Sequence, residues 1–546
     1  MVFSMYMNKF LLFVGISIIL AGCVGHQSGH WSADYDEQQI SVPQDVRNAY
    51  MQSASLYGSD DGGRENANIA VLLPLTGESK TSGNAIKTSV EAAFLQKPKN
   101  NIKISFYDLS GDKMKRNTIL QNVVSTNPDV IIGPLFADDV KTLHEIKSNR
   151  LPVLSFTSDV TALGDGVMTM NLVPSQSIEA IIQQIQADNK QDIIVFAPND
   201  KSGQLMASLA NQISDLYNVN MIGLYYYDSG NSDSIKDVSS RAALYNTRKA
   251  VNTRAREILS DILTKENISG ETRGSLIRQL EKISRTETTG KLPYSAILFL
   301  GNGEDSKALI SFLRYYGINS RDIALYGTAL WQNADIATDF AMNGAKYVAL
   351  PEISEDFNMI YSNISGNKPD YLAAFGYDAT NLALSMLFSD KSETSYLLDP
   401  SGYVGSTGVF RLQPSGQSEH ALRIMVLNGS ETPNVLKEAQ TNFLKPLYNM
   451  HSPDLTPIPE QPISTHGINP GDYINIPENL RKKTVYKTKT IGANYYNSEQ
   501  TETQQTSEPI QIYASDENET ISNPDFEPVK LESISRENID SVEITE

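Results

Sequence analysis

The chain has 546 residues, a net charge of −19, 40% hydrophobic and 20% charged content, and one cysteine. That length leaves room for two to four ordinary domains, and the composition suits a globular protein. The acidic excess argues against nucleic-acid binding, which needs a positive field to displace counterions. One cysteine excludes an intrachain disulfide framework and a Cys-based zinc site.

The first residues read as a targeting segment. Lys9 supplies positive charge, and Phe10–Leu20 forms an apolar run too short for an ordinary membrane span. Leu20-Ala21-Gly22-Cys23 follows and resembles the bacterial lipobox, whose cysteine is lipidated. Residues 1–22 are expected to be a lipoprotein signal peptide, with Cys23 as the lipidated amino terminus that ties the protein to a bilayer. Val24 follows instead of Asp, which by analogy with lipoprotein sorting points to the outer membrane, facing the periplasm. Residues 23–67 are polar and aperiodic, a flexible tether whose forty-odd residues would span roughly 35 Å root-mean-square.

From Asn68 the pattern alternates. Ile69–Leu73 is an apolar run that ends at Pro74 and Gly77, the signature of a strand buried on both faces, and Ser79–Leu95 is helix-compatible. Strands are then predicted at Ile102–Tyr107, Asp129–Ile132 and Pro152–Phe156, alternating with helices at Lys113–Ser125 and Ala137–Ser148; Met168–Val173 reads as a connection. A second series follows, with strands at Asp192–Phe196, Met221–Tyr227, Ala296–Leu300, Ile323–Tyr326 and Lys346–Leu350, and short paired strands near Gly408–Leu412 and Ala421–Leu427. The expectation is an α/β architecture of mostly parallel sheets in two lobes, lobe one at about 68–172 and 332–403 and lobe two at about 173–331 and 404–429. Residues 228–291 interrupt the second series and read as an inserted helical hairpin. Residues 430–546, Pro-rich and then acidic, are expected to be mostly disordered.

Catalytic constellations are poor. The six histidines form no H-E-x-x-H, and Gly405-Ser406-Thr407-Gly408 misses the nucleophile-elbow pattern, so neither metal hydrolysis nor serine catalysis has a scaffold. No cofactor is expected: Gly301-Asn302-Gly303-Glu304-Asp305-Ser306 resembles a dinucleotide loop, but Ser306 replaces the last Gly and the acids would repel a pyrophosphate. Binding is the better class. Open α/β sheets place ligands at the carboxyl ends of their strands. There the sequence sets Thr76, Gly77, Ser79 and Ser82; Gly133 and Leu135; Ser155, Thr157 and Ser158; and, in the second series, Asn199, Asp200, Ser202, Gly301 and Asn302. Each of these residue types also serves as a cap or a turn.

Four stretches carry a family resemblance: Ile69-Ala70-Val71-Leu72-Leu73-Pro74-Leu75-Thr76-Gly77, Ile131-Ile132-Gly133-Pro134-Leu135, Phe375-Gly376-Tyr377-Asp378-Ala379, and Gly405-Ser406-Thr407-Gly408-Val409-Phe410-Arg411-Leu412. In this order they resemble the carboxy-terminal domain of the LpoA-type penicillin-binding protein activators. More broadly they are similar to the leucine/isoleucine/valine-binding superfamily, with its type I periplasmic-binding-protein fold. The resemblance spans about 68–429. It implies a non-catalytic outer-membrane lipoprotein that stimulates a class A penicillin-binding protein and so peptidoglycan synthesis. The best-known members also carry an amino-terminal helical-repeat domain, where this sequence has the short tether. The superfamily alternative is a substrate-binding receptor of an ABC transporter, taking a small amino-acid-like or amide ligand. For that reading, Leu135-Phe136-Ala137 is apolar where a serine would help, and Ser155, Thr157 and Ser158 supply hydroxyls.

Overall fold

The computed structural model describes residues 67–480, apart from short interruptions at 97–101, 319–321, 333, 390, 444–453, 465–469 and 478–479, together with a two-residue strand at Gln38–Gln39. Cys23 and the acidic residues after 480 lie outside the described residues.

The first lobe is built on β1 (Ala67–Leu73). Ile69, Val71 and Leu73 face one core, and Ala70 and Leu72 face another. Period-2 alternation with apolar residues on both sides puts a layer on each face of the sheet. On the first face pack α1 (Lys80–Gln96) and a later helix, Tyr371–Leu387, through Ile86, Val90, Phe375 and Leu382. On the other face pack α2 (Lys113–Ser125) and α3 (Ala137–Ile146), through Leu120, Val123, Val140 and Leu143. The strands β2 (Ile102–Asp108), β3 (Val130–Ile132), β4 (Val153–Ser155) and β5 (Val167–Thr169) complete a parallel sheet in the order β2-β1-β3-β4-β5, with Gln38–Gln39 antiparallel on the β2 edge. The stretch expected as a connection thus begins with an edge strand, because Val167 and Met168 each bury on a different face.

The second lobe repeats the plan. Its strands are β6 (Asp192–Pro198), β7 (Asn220–Tyr227), β8 (Ala296–Phe299), β9 (Ala324–Gly327) and β10 (Lys346–Ala349), which pair in parallel in the order β10-β9-β8-β6-β7. Helices α4 (Pro174–Ala187) and α5 (Lys201–Leu216) cover one face; α6 (Ser232–Ala242) and α9 (Gly303–Tyr315) cover the other.

Three expectations are corrected. Lys346–Ala349 belongs to the second lobe, since Tyr347 and Ala349 bury in one of its cores and Val348 in the other. The strands near 408–412 and 421–427 do not pair with each other. Gly408–Leu412 forms a small antiparallel sheet with Tyr403–Gly405 and Ser418–His420, and its Phe410 and Leu412 complete the first lobe's core. Arg423–Val426 instead runs antiparallel beside β10, followed by Asn434–Lys437 at the edge. The chain therefore crosses between lobes near 170–174, 350–354 and 420–423.

The insertion is also smaller than expected. α6 is an ordinary crossover helix, with Ile235 and Val238 in the lobe core. Only α7 (Tyr245–Leu263) and α8 (Gly270–Ser284) form an added hairpin. Buried Arg248 pins it by donating to the carbonyls of Ala243, Tyr316, Gly317 and Gly290, and Asn252 donates to Ile283 O and Thr289 Oγ1. Finally, order persists past 430. Residues 454–464 lie along the β7 edge, where Gln461 bridges Leu224 and Ile463 enters the core. Tyr226 Oη donates to Ile458 O, and Ser208 Oγ to Thr456 O. Residues 473–476 then reach the hairpin. A few buried apolar side chains and backbone pairings suffice to order a segment whose composition alone is unpromising.

Candidate functional site

The strand ends of the two lobes are constructed alike. β1 ends at Pro74, and a Cβ on Gly83 of α1 would lie 2.0 Å from Pro74 O; β6 ends at Pro198, and a Cβ on Gly203 of α5 would lie 2.0 Å from Pro198 O. Each lobe thus seats the first turns of a helix directly on a proline-terminated strand, which only glycine permits.

The loop after β1 is closed by its own bonds. Asp108, at the end of β2, accepts from the Leu75 N–H at 2.8 Å, the Thr76 hydroxyl at 2.6 Å and the Ser110 N–H at 3.0 Å. Ser110 Oγ donates to Thr76 O at 2.6 Å. Partial burial opposes ionisation of Asp108, but the hydrogen bonds from Ser110, Thr76 and Leu75 hold its carboxyl below the usual range. Gly77 takes φ 73°, and Ser79 O accepts from the Gly83 N–H. Ser82 is half-buried on the first turn of α1.

After β3, Gly133 has φ 96° and would place a Cβ 2.2 Å from Leu72 O, so this bend is sealed against β1. Pro134 O accepts from the Phe156 N–H at 3.0 Å, which ties the ends of β3 and β4 together. Leu135 packs against the first lobe's core, and Phe136 beside it is 44% exposed. After β4, Ser155 is fully buried and donates to Met168 O at 2.9 Å. Thr157 is buried too, with its hydroxyl accepting from Asp159 N and its carbonyl from Thr169 Oγ1. Of the three hydroxyls expected there, Ser158 is the exposed one.

In the second lobe Asn199 Nδ2 donates to Asp228 Oδ1 at 3.2 Å, and Asp200 caps α5 by accepting from Gly203 N at 2.7 Å; Ser202 is exposed beside it. Gly301 lies against Tyr227, whose hydroxyl would be 1.8 Å from a Cβ. Burial, and then the charges of Asp305 and Asp200, push the Tyr227 phenol up. Asn302 caps α9 by accepting from Asp305 N at 2.8 Å. Asp305 is buried and accepts from Ser229 Oγ, the Gly230 N–H and Asn302 Nδ2. Ser306 Oγ accepts from Trp331 Nε1 at 3.0 Å. The dinucleotide-like loop is therefore a capped helix start in which Asp305 and Ser306 are buried, while Asn302 and Glu304 are exposed.

The sequence reading missed the crossings, which carry a polar network of their own. Gln332 brackets Leu350, donating to its carbonyl at 3.0 Å and accepting from its N–H at 2.9 Å, and it also donates to Tyr371 Oη. Tyr371 donates to Pro351 O and Arg423 Nη2 to Leu350 O, each at 3.1 Å. His420 is buried between Phe375 and Phe410, with Nε2 3.1 Å from Met170 O, and its N–H donates to Gln176 Oε1. Burial pulls its imidazole down to about 4, against the bond to Met170. Two of the four family-like stretches meet here, since Asp378 holds the Ser406 turn. Their joint presence in the sequence was the available signal; nothing in their spacing, 28 residues apart, declares contact. Among the described residues no group of His, Cys, Asp and Glu could hold a metal ion.

Two lobes of parallel sheet flanked by helices and joined by three crossings define a type I periplasmic-binding-protein fold. A solved structure described as a putative branched-chain amino acid ABC transporter from Rhodospirillum rubrum matches with a TM-score of 0.51 at 15% identity, covering 68% of this chain and 100% of that one. The family model described as LppC putative lipoprotein matches residues 63–414, and the chain belongs to that family. Among curated proteins, penicillin-binding protein activator LpoA of Photobacterium profundum is 24% identical over 151 residues, 27% of this chain and 24% of that protein. The protein of the same name from Haemophilus ducreyi is 28% identical over 163 residues, 29% of this chain and 27% of its own length. The chain spans about a quarter of the length of the curated relatives it matches. The LpoA C-domain of Haemophilus influenzae, described as a regulator of PBP1A, superposes with a TM-score of 0.46 at 15% identity, over 68% of this chain and 100% of that one.

Proposed function

We propose that this protein is a lipid-anchored, non-catalytic activator of a class A penicillin-binding protein, acting on peptidoglycan synthesis by protein–protein contact. The observation that carries it is membership of a lipoprotein family whose matched stretch, 63–414, contains nearly all of both lobes, with curated relatives named as penicillin-binding protein activators. Cys23 is the anchor, and the outer membrane, from the periplasmic side, is the surface it occupies.

The polar geometry favours this over a solute receptor. Thr76, Ser155 and Thr157, the hydroxyls best placed for a small ligand, already serve Asp108, Met168 O and Asp159 N. Thr76 and Ser155 have given their hydroxyl protons to Asp108 and Met168 O, so a ligand needing a donor there would have to replace those bonds, and a buried partner left unpaired costs about 1–3 kcal/mol. The crossings are braced as well, so relative motion of the lobes would break the bond from Gln332 to Tyr371 Oη. The test is co-purification. Mature chain immobilised through its carboxyl end should retain a class A penicillin-binding protein from detergent extract of the native bacterium. Its absence from the eluate, together with retention of a permease, would reverse the reading.

A further inference from the structure

The strap formed by residues 454–464 covers the β7 edge incompletely. Its main chain exchanges bonds with Leu224 alone among the β7 residues. The Leu224 N–H donates to Gln461 O at 2.8 Å, and the Gln461 N–H to Leu224 O at 3.0 Å. In an antiparallel ladder such mutually bonded pairs recur at every second residue, so the next would be Tyr226 with Pro459 and Ile222 with Ile463. Pro459 has no N–H to give. The Ile463 N–H donates elsewhere, to Tyr225 Oη at 3.1 Å. The strap is thus a strand of one rung, stopped on both sides, and the edge beyond it remains a template for pairing.

The remaining attachments show what this edge selects. Ile463 is seated against Gly223, where a Cβ would lie 2.9 Å from Ile463 Cγ1. Leu455 and Ile458 pack, half-buried, on the core beneath α5. The Gln212 carboxamide of α5 bonds both main-chain groups of Asp454, accepting its N–H at 3.2 Å and donating to its carbonyl at 2.5 Å. Arg241 of α6 pairs with Asp237 on its own helix and reaches across to Glu460 Oε1, each at 2.8 Å. Apolar anchors, an acid and main-chain pairing are how a sheet edge recognises an extended peptide. β7, α5 and α6 all lie inside the family-matched residues 63–414, whereas the strap lies beyond them.

We infer that the β7 edge is a docking site for an extended segment of the class A penicillin-binding protein, and that residues 454–464 are its displaceable cover. The segment it takes is free of proline, carries apolar side chains for the Ile463 and Ile458 seats, and has an acid opposite Arg241. Such a segment bonds Tyr226 as well as Leu224, which the strap cannot do because of Pro459, and it therefore displaces the strap. This inference rests on the activator reading.

The test uses the full mature chain and a purified class A penicillin-binding protein from the same bacterium. In their complex, hydrogen exchange at the Gln461 and Ile463 amides should be at least several-fold faster than in the free chain, and exchange at Tyr226 slower. Unchanged exchange at Gln461 overturns the inference. As a second measurement, Glu460→Ala/Gln461→Pro removes the ion pair and the rung without touching the lobe core. That chain should bind the synthase at least several-fold tighter than the unaltered one. Equal, measurable binding by both overturns this inference and leaves the activator reading standing; no binding by either overturns both. A doubled mass of the Glu460→Ala/Gln461→Pro chain in light scattering, absent from the unaltered chain, also overturns it, because a second copy would then fill the edge.

Discussion

Asp378 Oδ1 accepts the Ser406 N–H at 2.7 Å, and Ser406 Oγ donates to Oδ2 at 3.0 Å, inside the first lobe next to the crossings. Gly405 makes the approach feasible, since a Cβ there would stand 2.4 Å from the carboxylate. Ser406 O in turn accepts from Ser354 N at 2.7 Å, so one carboxyl organises the turn that the second crossing rests on. Replacing Asp378 with Ala should cost about 1–3 kcal/mol, the penalty for leaving buried partners unsatisfied, whereas Asn keeps the contact with Ser406 N and should cost much less. Urea denaturation of the two variants checks the order.

The same carboxyl makes a pH prediction. Burial, against two bonds from Ser406, pushes Asp378 up to about 7. A carboxyl raised above its unfolded value contributes stability that is full below about 4 and is lost as pH climbs through about 7. His420 does the opposite: its native value near 4 lies below the unfolded one, so its contribution is full above about 6.5 and is lost as pH falls toward 4. The two slopes oppose each other in the unaltered protein. Thermal melts should show the stability of Asp378→Asn falling less with rising pH between about 4 and 7 than that of the unaltered chain, and that of His420→Gln falling more. The buried Glu91, also raised to about 7, is common to all three. Parallel profiles for all three chains would contradict this assignment.

How much of this was legible in the residues differs from part to part. β1 was readable because burial on both faces leaves an unbroken apolar run, and Pro74 and Gly77 mark its end. The lobe boundaries were not, because Lys346–Ala349 reads the same whichever sheet it joins; only packing of Tyr347 against Trp331 decides. Ser155, Thr157 and Thr76 stand at or just past strand ends, but a hydroxyl free for a ligand and one spent on Met168 O or Asp108 look identical in sequence. The bracing at Gln332, Asp378 and His420 joins residues far apart along the chain, and no local spacing encodes it.

The paired glycines give a matched test of the strand-end construction. Gly83→Ala and Gly203→Ala each drive a methyl into a proline carbonyl at 2.0 Å, where backbone must shift. Each should destabilise by about 1–3 kcal/mol or more, as overpacking against fixed atoms does. Denaturant midpoints measure both; a neutral result at either position would show that the helix can slide off its strand.

Arg248 supplies a further prediction about the hairpin. Its guanidinium serves four carbonyls that no other described side chain satisfies as a group, and burial pulls it below its usual value. Arg248→Met should loosen α7 and α8 selectively, seen as faster hydrogen exchange there with the β6–β8 core unchanged. Uniform loss of protection over the second lobe would show instead that the hairpin is part of its cooperative unit.

The account's central claim is activation without a solute. The most direct measurement adds the purified mature chain to a class A penicillin-binding protein from the same bacterium and follows the rate of peptidoglycan synthesis. The account predicts a saturable, at least severalfold rise that persists in a Thr76→Val/Ser158→Ala chain. An unchanged rate, with a melting temperature that climbs when amino acids or amides are added, would contradict it.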